Sequence, residues 1–264
     1  MRRSRNSMQL DGKVVLITGA SEGIGAACAK EFAAAGAKLA LTARSADGLA
    51  RAGGASALTV AGDLTDDAVR RQVVDRAVER FGAVDVLINC AGIGLYGDSC
   101  TVPLEDARRV MELNFFAPLA MIQLVVPHMR ARRSGMIVNV SSIGGKMLLP
   151  WMTLYCASKY AVGALTEGLR MELRRDGIKT MVACPGYVTT GFQQHVLRGQ
   201  APAPVLRARK RAISPEECAI AIRRGVERDA RTILAPRAGW LLVALARLAP
   251  ALVEARMAEM NGTA

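Results

Sequence analysis
Residues 13–25, KVVLITGASEGIG, decide how this chain is read. The apolar run that ends at Thr18 has the length and β-branched content of a buried strand, and AACAKEFAAAG after Gly25 is helix-forming. Between them lies a Gly-rich turn. Gly19 permits the tight reversal, Gly23 a close approach of backbone to ligand, and Gly25 close packing of helix on strand. Ser21, Glu22 and Ile24 complete the loop. A strand, a Gly-rich turn and a helix N-terminus together present free N–H groups and a positive dipole end, which suits a pyrophosphate.

Working outward, short apolar runs alternate with longer helical patterns, as in a parallel sheet covered on both faces. Strands are expected at 13–18, 38–43, 57–61, 84–89, 135–140, 178–183 and 231–234, and helices near 23–35, 66–80, 105–131, 154–175 and 215–228. No repeat or linker divides the series. The expectation is an α/β, doubly wound, seven-stranded parallel sheet in a single domain over 13–237. A basic arm (1–12) precedes it and an apolar helical extension (238–264) follows. Residues 188–214, crowded with Gly, Pro, Gln and Arg, are expected to form a long functional loop.

With 264 residues and 51% hydrophobic content the chain can bury a large core. Its six cysteines form no CxxC pair and no Cys/His cluster at zinc spacing, so no disulfide framework and no metal site is indicated, and a reducing, cytoplasmic setting is expected. The net charge of +12 is local: it sits at 1–5, at 130–133 and at 198–237, and the rest of the chain balances. No nucleic-acid recognition motif accompanies it, so no specific nucleic-acid partner is expected. AGWLLVALA (238–246) is too short to span a bilayer, yet AGWLLVALARLAPALVEARM (238–257) mixes a large apolar face with Arg247 and Arg256, which suits packing across a subunit or peripheral contact with a bilayer surface. The arm MRRSR would add attraction to anionic lipid.

The end of the second strand separates the two nicotinamide dinucleotides. An acidic side chain there holds the ribose 2′-hydroxyl of NAD, whereas an Arg suits the 2′-phosphate of NADP. LTARS places Arg44 at that position, so NADP(H) is favoured over NAD(H). Asp47, three residues on, reads as a helix cap or solvated carboxylate.

Further along, the residues resemble the short-chain dehydrogenase/reductase family from about Lys13 to the Pro185 region. TGASEGIG is similar to the family's TGxxxGIG loop. In the family's order follow Asp63 and Leu64 in AGDLT, then Asn89, Ala91 and Gly92 in NCAG, where Cys90 replaces the commoner second Asn. Next come Asn114 in MELNFFAP, Ser142, and Tyr155 with Lys159 in YCASK; Pro185, Gly186, Val188 and Thr190 form a PGxVxT-like stretch. The resemblance implies a Rossmann fold, an NADP-dependent activity and pairing of subunits into a homodimer or homotetramer through the helices at 105–131 and 154–175. It makes all these residues cofactor contacts except Cys90, Asn114 and Ser142. One departure is Glu22, where NADP-preferring relatives often carry a basic residue.

The chemistry follows from residue types. Hydride transfer to a carbonyl leaves an alkoxide-like oxygen that must receive a proton, and Tyr155 can supply it. A free phenol titrates near 10, and the cation of Lys159, four residues on along one helical face, is expected to lower it. Ser142, at the end of the fifth strand, would hold the substrate oxygen. By resemblance Lys159 also binds the nicotinamide ribose, and Asn114 fixes a helix distortion and a water serving Lys159. Asn114, Ser142, Tyr155 and Lys159 are therefore the candidate catalytic residues, with Ser142, Leu149 and Tyr155 contacting substrate. Ile93, Leu95, Tyr96, Met147, Leu148, Leu149, Trp151 and Met152 suggest apolar walls and an apolar carbonyl or alcohol substrate, such as a ketone, 3-oxoacyl or steroid-like compound, although the same side chains would serve a core or subunit contact. Arg207, Arg209, Lys210 and Arg211 would meet an anionic substrate tail or simply water. The alternative function is an NADP-binding regulator without turnover, which would have no need of Tyr155 or Lys159.

Overall fold
Seven parallel strands, β1 (Val14–Thr18), β2 (Lys38–Ala43), β3 (Leu58–Ala61), β4 (Val86–Asn89), β5 (Gly135–Val140), β6 (Ile178–Pro185) and β7 (Thr232–Ala235), pair in the order β3-β2-β1-β4-β5-β6-β7. The computed structural model describes residues 8–199 and 212–261. All seven strands fall where the apolar runs predict them. The sheet is buried on both faces, and alternation along β1 shows why its sequence is continuously apolar. Val15 and Ile17 face α1 (Gly23–Ala34) and α7 (Pro215–Glu227), while Leu16 faces α3 (Asp67–Phe81), α5 (Ala117–Arg132) and the end of α6 (Thr153–Glu172). An ion pair from Arg223 Nε to Glu31 Oε1 (2.6 Å) ties α7 to α1.

The strand order reverses between β1 and β4, which opens a crevice at the carboxyl edge of the sheet. Beneath it a polar row crosses the strands in register: Thr42, Thr18, Asn89 and Asn139. Asn89 Nδ2 donates to Asn139 Oδ1 (2.8 Å), and Asn139 Nδ2 donates to Thr166 Oγ1 (2.8 Å). The row thus fixes α6 against β5.

Several elements differ from the sequence reading. A short helix α2 (Ala46–Gly53) follows β2, capped by Ser45, whose hydroxyl accepts from Gly48 N–H; Asp47 lies exposed in its first turn, so it is a solvated carboxylate and not the cap. The helix expected at 105–131 runs from α4 (Leu104–Met111) through a π-helical turn (Glu112–Phe116) into α5. This run is long and apolar enough to cross a membrane, but Met121, Val125 and Met129 are buried against the sheet, as in a core helix. The helix expected to reach 175 ends at Glu172 and passes into a 3₁₀ turn (Arg174–Asp176). In the 188–214 segment, Gly191–His195 forms a 3₁₀ turn and Val188 bridges Ile213. After β7 the chain continues as α8 (Gly239–Leu248) and α9 (Pro250–Asn261). The arm at 1–5 and Arg207, Arg209, Lys210 and Arg211 lie outside the described residues.

Candidate active site
A cavity of about 590 Å³ opens at the carboxyl ends of β1 to β6, a size suited to a small-molecule site. Its floor is the Gly-rich turn. Gly19 has φ +66°, and a Cβ there would lie 2.7 Å from Ala91 Cα; Gly23 has φ +54°. Residue 25 also has to be glycine, since a Cβ would drive into the carbonyl of Gly19. The helices α2, α3 and α7 are capped by Ser45, Asp66 and Ser214, but no side chain caps α1, where Glu22 occupies the position. The first-turn N–H groups of α1 are thus left to a ligand in the cavity. This uncapped, glycine-lined cradle fits the pyrophosphate of a nicotinamide dinucleotide.

Other expected cofactor residues line the same cavity: Ser21, Glu22, Ile24, Arg44, Asp63, Leu64, Ala91, Gly92, Pro185, Gly186, Val188 and Thr190. Asp63 Oδ1 accepts from both the N–H and the hydroxyl of Thr65 (2.9 Å each). That backbone hydrogen bond holds the Asp63 carboxyl below its ordinary range, with Arg44 and Arg109 contributing. Asn89 is the exception. It lies below the wall in the polar row, its Nδ2 bonded to Asn139, while Cys90 lines the cavity in its stead. The NCAG turn is itself held by Thr18 Oγ1, which accepts from the N–H groups of Cys90 (3.0 Å) and Ala91 (3.2 Å). Sequence reasoning missed Arg51 on α2, which joins Arg44 at the cavity, because that helix was not foreseen.

The other half of the cavity carries the expected catalytic residues. Ser142 caps a 3₁₀ turn (Ile143–Gly145) after β5, its Oγ accepting from Gly144 N–H (3.0 Å). Tyr155, near the start of α6, faces Ser142 in the cavity, and Ser142 favours its ionised form. Lys159, one turn on, is 5% exposed; its Nζ donates to the Val140 carbonyl (3.1 Å) and lies 5.8 Å from the centroid of the Tyr155 ring. Ser141 Oγ donates to the Lys159 carbonyl (2.7 Å), so β5 and α6 are latched at the site.

Asn114 does not line the cavity. It sits in the π-helical turn and grips the peptide groups of Ile93, accepting from its N–H (2.9 Å) and donating to its carbonyl (3.0 Å). Its Nδ2 also donates to Ser158 Oγ (3.0 Å), and Ser158 donates to the Tyr155 carbonyl (2.7 Å). Asn114 therefore joins the cavity wall to the helix that carries Tyr155. Gly92 makes this convergence possible: a Cβ there would stand 3.0 Å from Asn114 Oδ1 and 3.2 Å from Lys159 Nζ.

The electrostatics correct one expectation. Burial pushes the Tyr155 phenol above its ordinary value, outweighing the opposite effect of Ser142, and burial pushes Lys159 down to about 8. The ammonium faces a backbone carbonyl and the ring rather than an anion, and desolvation penalises the charged form of each group. The protein by itself thus favours a neutral phenol.

Around Tyr155 the walls are apolar. Leu149, Met152, Tyr96 and Phe192 line the cavity, and the Phe192 ring packs edge-on to Tyr155 at 5.8 Å. Ile93 also lines it, whereas Leu95 and Met147 are buried elsewhere, Trp151 packs behind the wall and Leu148 is exposed. Phe192 belongs to the segment after β6, which is anchored by the pairing of Arg198 with buried Asp106 and by backbone hydrogen bonds from Leu197 N–H to Gly94 O (3.0 Å) and from Tyr96 N–H to Arg198 O (3.1 Å).

Comparison with known proteins agrees with this geometry. Residues 13–201 match the family model for the short chain dehydrogenases. The chain is 34% identical to a dehydrogenase/reductase SDR family protein 7-like of Anopheles gambiae, over 100% of this chain and 89% of that protein. It is 39% identical to the mouse dehydrogenase/reductase SDR family member 7B, over 73% of this chain and 62%, less than two thirds, of the mouse protein. A ketoacyl reductase, HetN, of a Nostoc species is 35% identical over 68% of this chain and 65% of its own. A short-chain dehydrogenase/reductase of Burkholderia phymatum, solved in complex with NAD, superposes with a TM-score of 0.83 at 30% identity, covering 93% of this chain and 96% of that one. With its seven-stranded Rossmann sheet and a cradle for a nicotinamide dinucleotide, the chain is an oxidoreductase that belongs to the short-chain dehydrogenase/reductase family.

Proposed function
We propose that the chain interconverts a carbonyl and a secondary alcohol on an apolar substrate, using NADP(H), with Tyr155 as general acid and base. The observation that carries this reading is the convergence of Ser142, Tyr155 and Lys159 on one wall of a cavity whose other end is the dinucleotide cradle. A bound nicotinamide supplies or takes up the hydride. Ser142, whose Oγ accepts from Gly144, keeps its own O–H to donate to the substrate oxygen. Tyr155 gives its proton to that oxygen in reduction and recovers it in oxidation. A phenol held protonated by burial is ready for the first of these roles. Lys159 stabilises the phenolate left behind and holds the nicotinamide ribose. The apolar walls at Leu149, Met152, Tyr96 and Phe192 support an apolar substrate, and Arg44 with Arg51 supports a 2′-phosphate.

Pairing of subunits through α4–α5 and α6 belongs to the same reading, supported by exposed Phe116 and Met171 on those faces. A reducing, cytoplasmic setting is supported by six free thiols. The test is NADPH oxidation by the purified protein across a panel of hydrophobic ketones, with Tyr155→Phe lowering kcat by about a thousandfold. Turnover undiminished in that variant overturns the mechanism, whereas NADPH binding by the wild type with no turnover on any ketone favours the regulator without chemistry.

A further inference from the structure
Helix α8 is poorly covered. Of its large side chains only Val243 is buried, in a small cluster with Val182, Cys184 and Leu234. Trp240 (42%), Leu241 (77%), Leu242 (38%), Leu245 (43%) and Leu248 (86%) are exposed, and Leu252 (63%) extends the surface onto α9. Single exposed leucines need no explanation, but six large apolar side chains on two adjoining short helices form a patch of the kind that marks an interaction surface.

The patch has a definite charge and place. Arg237 and Arg247 flank α8, and neither side chain forms an ion pair among the described residues, whereas Arg256 on α9 is paired with Glu259 (2.8 Å). Residues 237–253 contain no acidic side chain. Gly239 abuts the substrate half of the active site: a Cβ on it would stand 3.5 Å from Ile143 Cδ1, and Ile143 lines the cavity. At the other end, Arg247 is near Tyr160 on α6; burial pushes that phenol up and Arg247 draws it down.

We propose that this face docks on an anionic lipid surface, with the α8 leucines and Trp240 in the apolar layer and Arg237 and Arg247 on the headgroups. An apolar helix with flanking cations has the composition of an interfacial helix, and Arg can bury its stem while its head reaches phosphate. Charge selects lipid over a second copy of the chain. A two-fold contact would oppose this face to itself, bringing the Arg237 and Arg247 of the two copies together, and the carboxylates nearest in sequence, Glu254 and Glu259, stand off on α9, Glu259 already paired with Arg256. Docking here sets the substrate half of the cavity beside the bilayer.

The experiment is cosedimentation of the full chain with phosphatidylcholine vesicles and with vesicles in which about one third of the lipid is phosphatidylglycerol. The wild type is expected to pellet with the mixed vesicles and about thirtyfold more weakly with the neutral ones, two arginines near an anionic surface being worth about that factor. Trp240 emission shifts to the blue on binding, and Trp240→Phe removes the shift. The pair Leu241→Glu with Leu245→Glu abolishes pelleting; the pair Arg237→Glu with Arg247→Glu abolishes the preference for phosphatidylglycerol. Thermal melting shows whether each variant is folded, and a single Leu241→Glu, at an exposed position, replaces a pair that is not. Wild type left in the supernatant with both vesicles overturns the proposal, as does full pelleting of the folded Leu→Glu variants. A halved molecular size in those variants, with no vesicle binding by the wild type, overturns it in favour of a contact between copies.

Discussion

Asn114→Leu tests whether the site is assembled as the hydrogen bonds indicate. Leu has nearly the shape of Asn, so the substitution removes polar bonds with little change in volume. Three are lost: two to the peptide groups of Ile93 and one to Ser158. Asn114 is 1% exposed, so water does not readily replace them. At roughly 1 kcal/mol net for each bond, and more wherever a partner stays buried and unpaired, the loss comes to roughly 3–5 kcal/mol. That leaves a domain of ordinary stability folded, since about 5–15 kcal/mol is typical. Urea unfolding measures the effect: with a slope near 3 kcal/mol/M, the midpoint falls by roughly 1–1.7 M at unchanged slope. Because the Ser158 bond to the Tyr155 carbonyl loses its neighbour, kcat falls as well. A midpoint lowered by less than about 0.3 M, or roughly 1 kcal/mol, would refute the view that Asn114 clamps wall to helix.

Three further perturbations probe other parts of the cavity. Arg44→Asp removes a partner for a 2′-phosphate and adds repulsion, so the NADPH-to-NADH ratio of kcat/KM falls by about tenfold or more; an unchanged ratio moves the discrimination to Arg51 or elsewhere. Gly19→Ala forces Ala to φ +66° with its Cβ against Ala91, costing ~1–3 kcal/mol and weakening NADPH binding by fluorescence titration; wild-type affinity would show that the turn is not the cradle. Lys159→Met bears on pH. Burial lowers Lys159 from 10.5 to about 8, so between these values the unfolded chain holds a proton that the folded chain has released, and stability rises with pH across that window. Below pH 8 the penalty is complete. The buried phenol acts the other way above about pH 10, since Tyr155 ionises more readily in the unfolded chain. Between pH 8 and 10 the wild type therefore gains on the order of 2 kcal/mol relative to Lys159→Met in chemical denaturation; parallel curves would contradict the desolvation argument.

The sheet was legible because each strand is an apolar run of four to eight residues between turn signals, and a strand buried on both faces needs no alternation to be recognised. The eight-residue α2 escaped notice because its interior is Gly- and Ala-rich and only Leu49 marks an apolar face of any size. With it went Arg51, whose place at the cavity depends on that helix. Phe192 was equally out of reach. It lies in the irregular segment after β6, and its contact with Tyr155 depends on the anchoring of that segment by Arg198 and Asp106, a partnership of residues 92 apart. Asn89 shows the opposite limit: the motif placed it beside the cofactor loop, but register turns its side chain into the polar row toward Asn139.

The phenol of Tyr155 shows where spacing stops being informative. Four residues on a helix bring Tyr155 and Lys159 together, and in water an ammonium beside a phenol would favour the phenolate. Inside the cavity wall both groups are stripped of solvent, and the cost of either charge exceeds what a cation 5.8 Å from the ring centroid returns. Sequence states the separation of two residues, not the dielectric between them. The phenol rests neutral unless further charge arrives, and the oxidised nicotinamide ring, when bound, brings a positive one. If Tyr155 is the acid, as proposed, its ionisation then depends on charge that the cofactor brings, and the acid and its switch belong to different molecules.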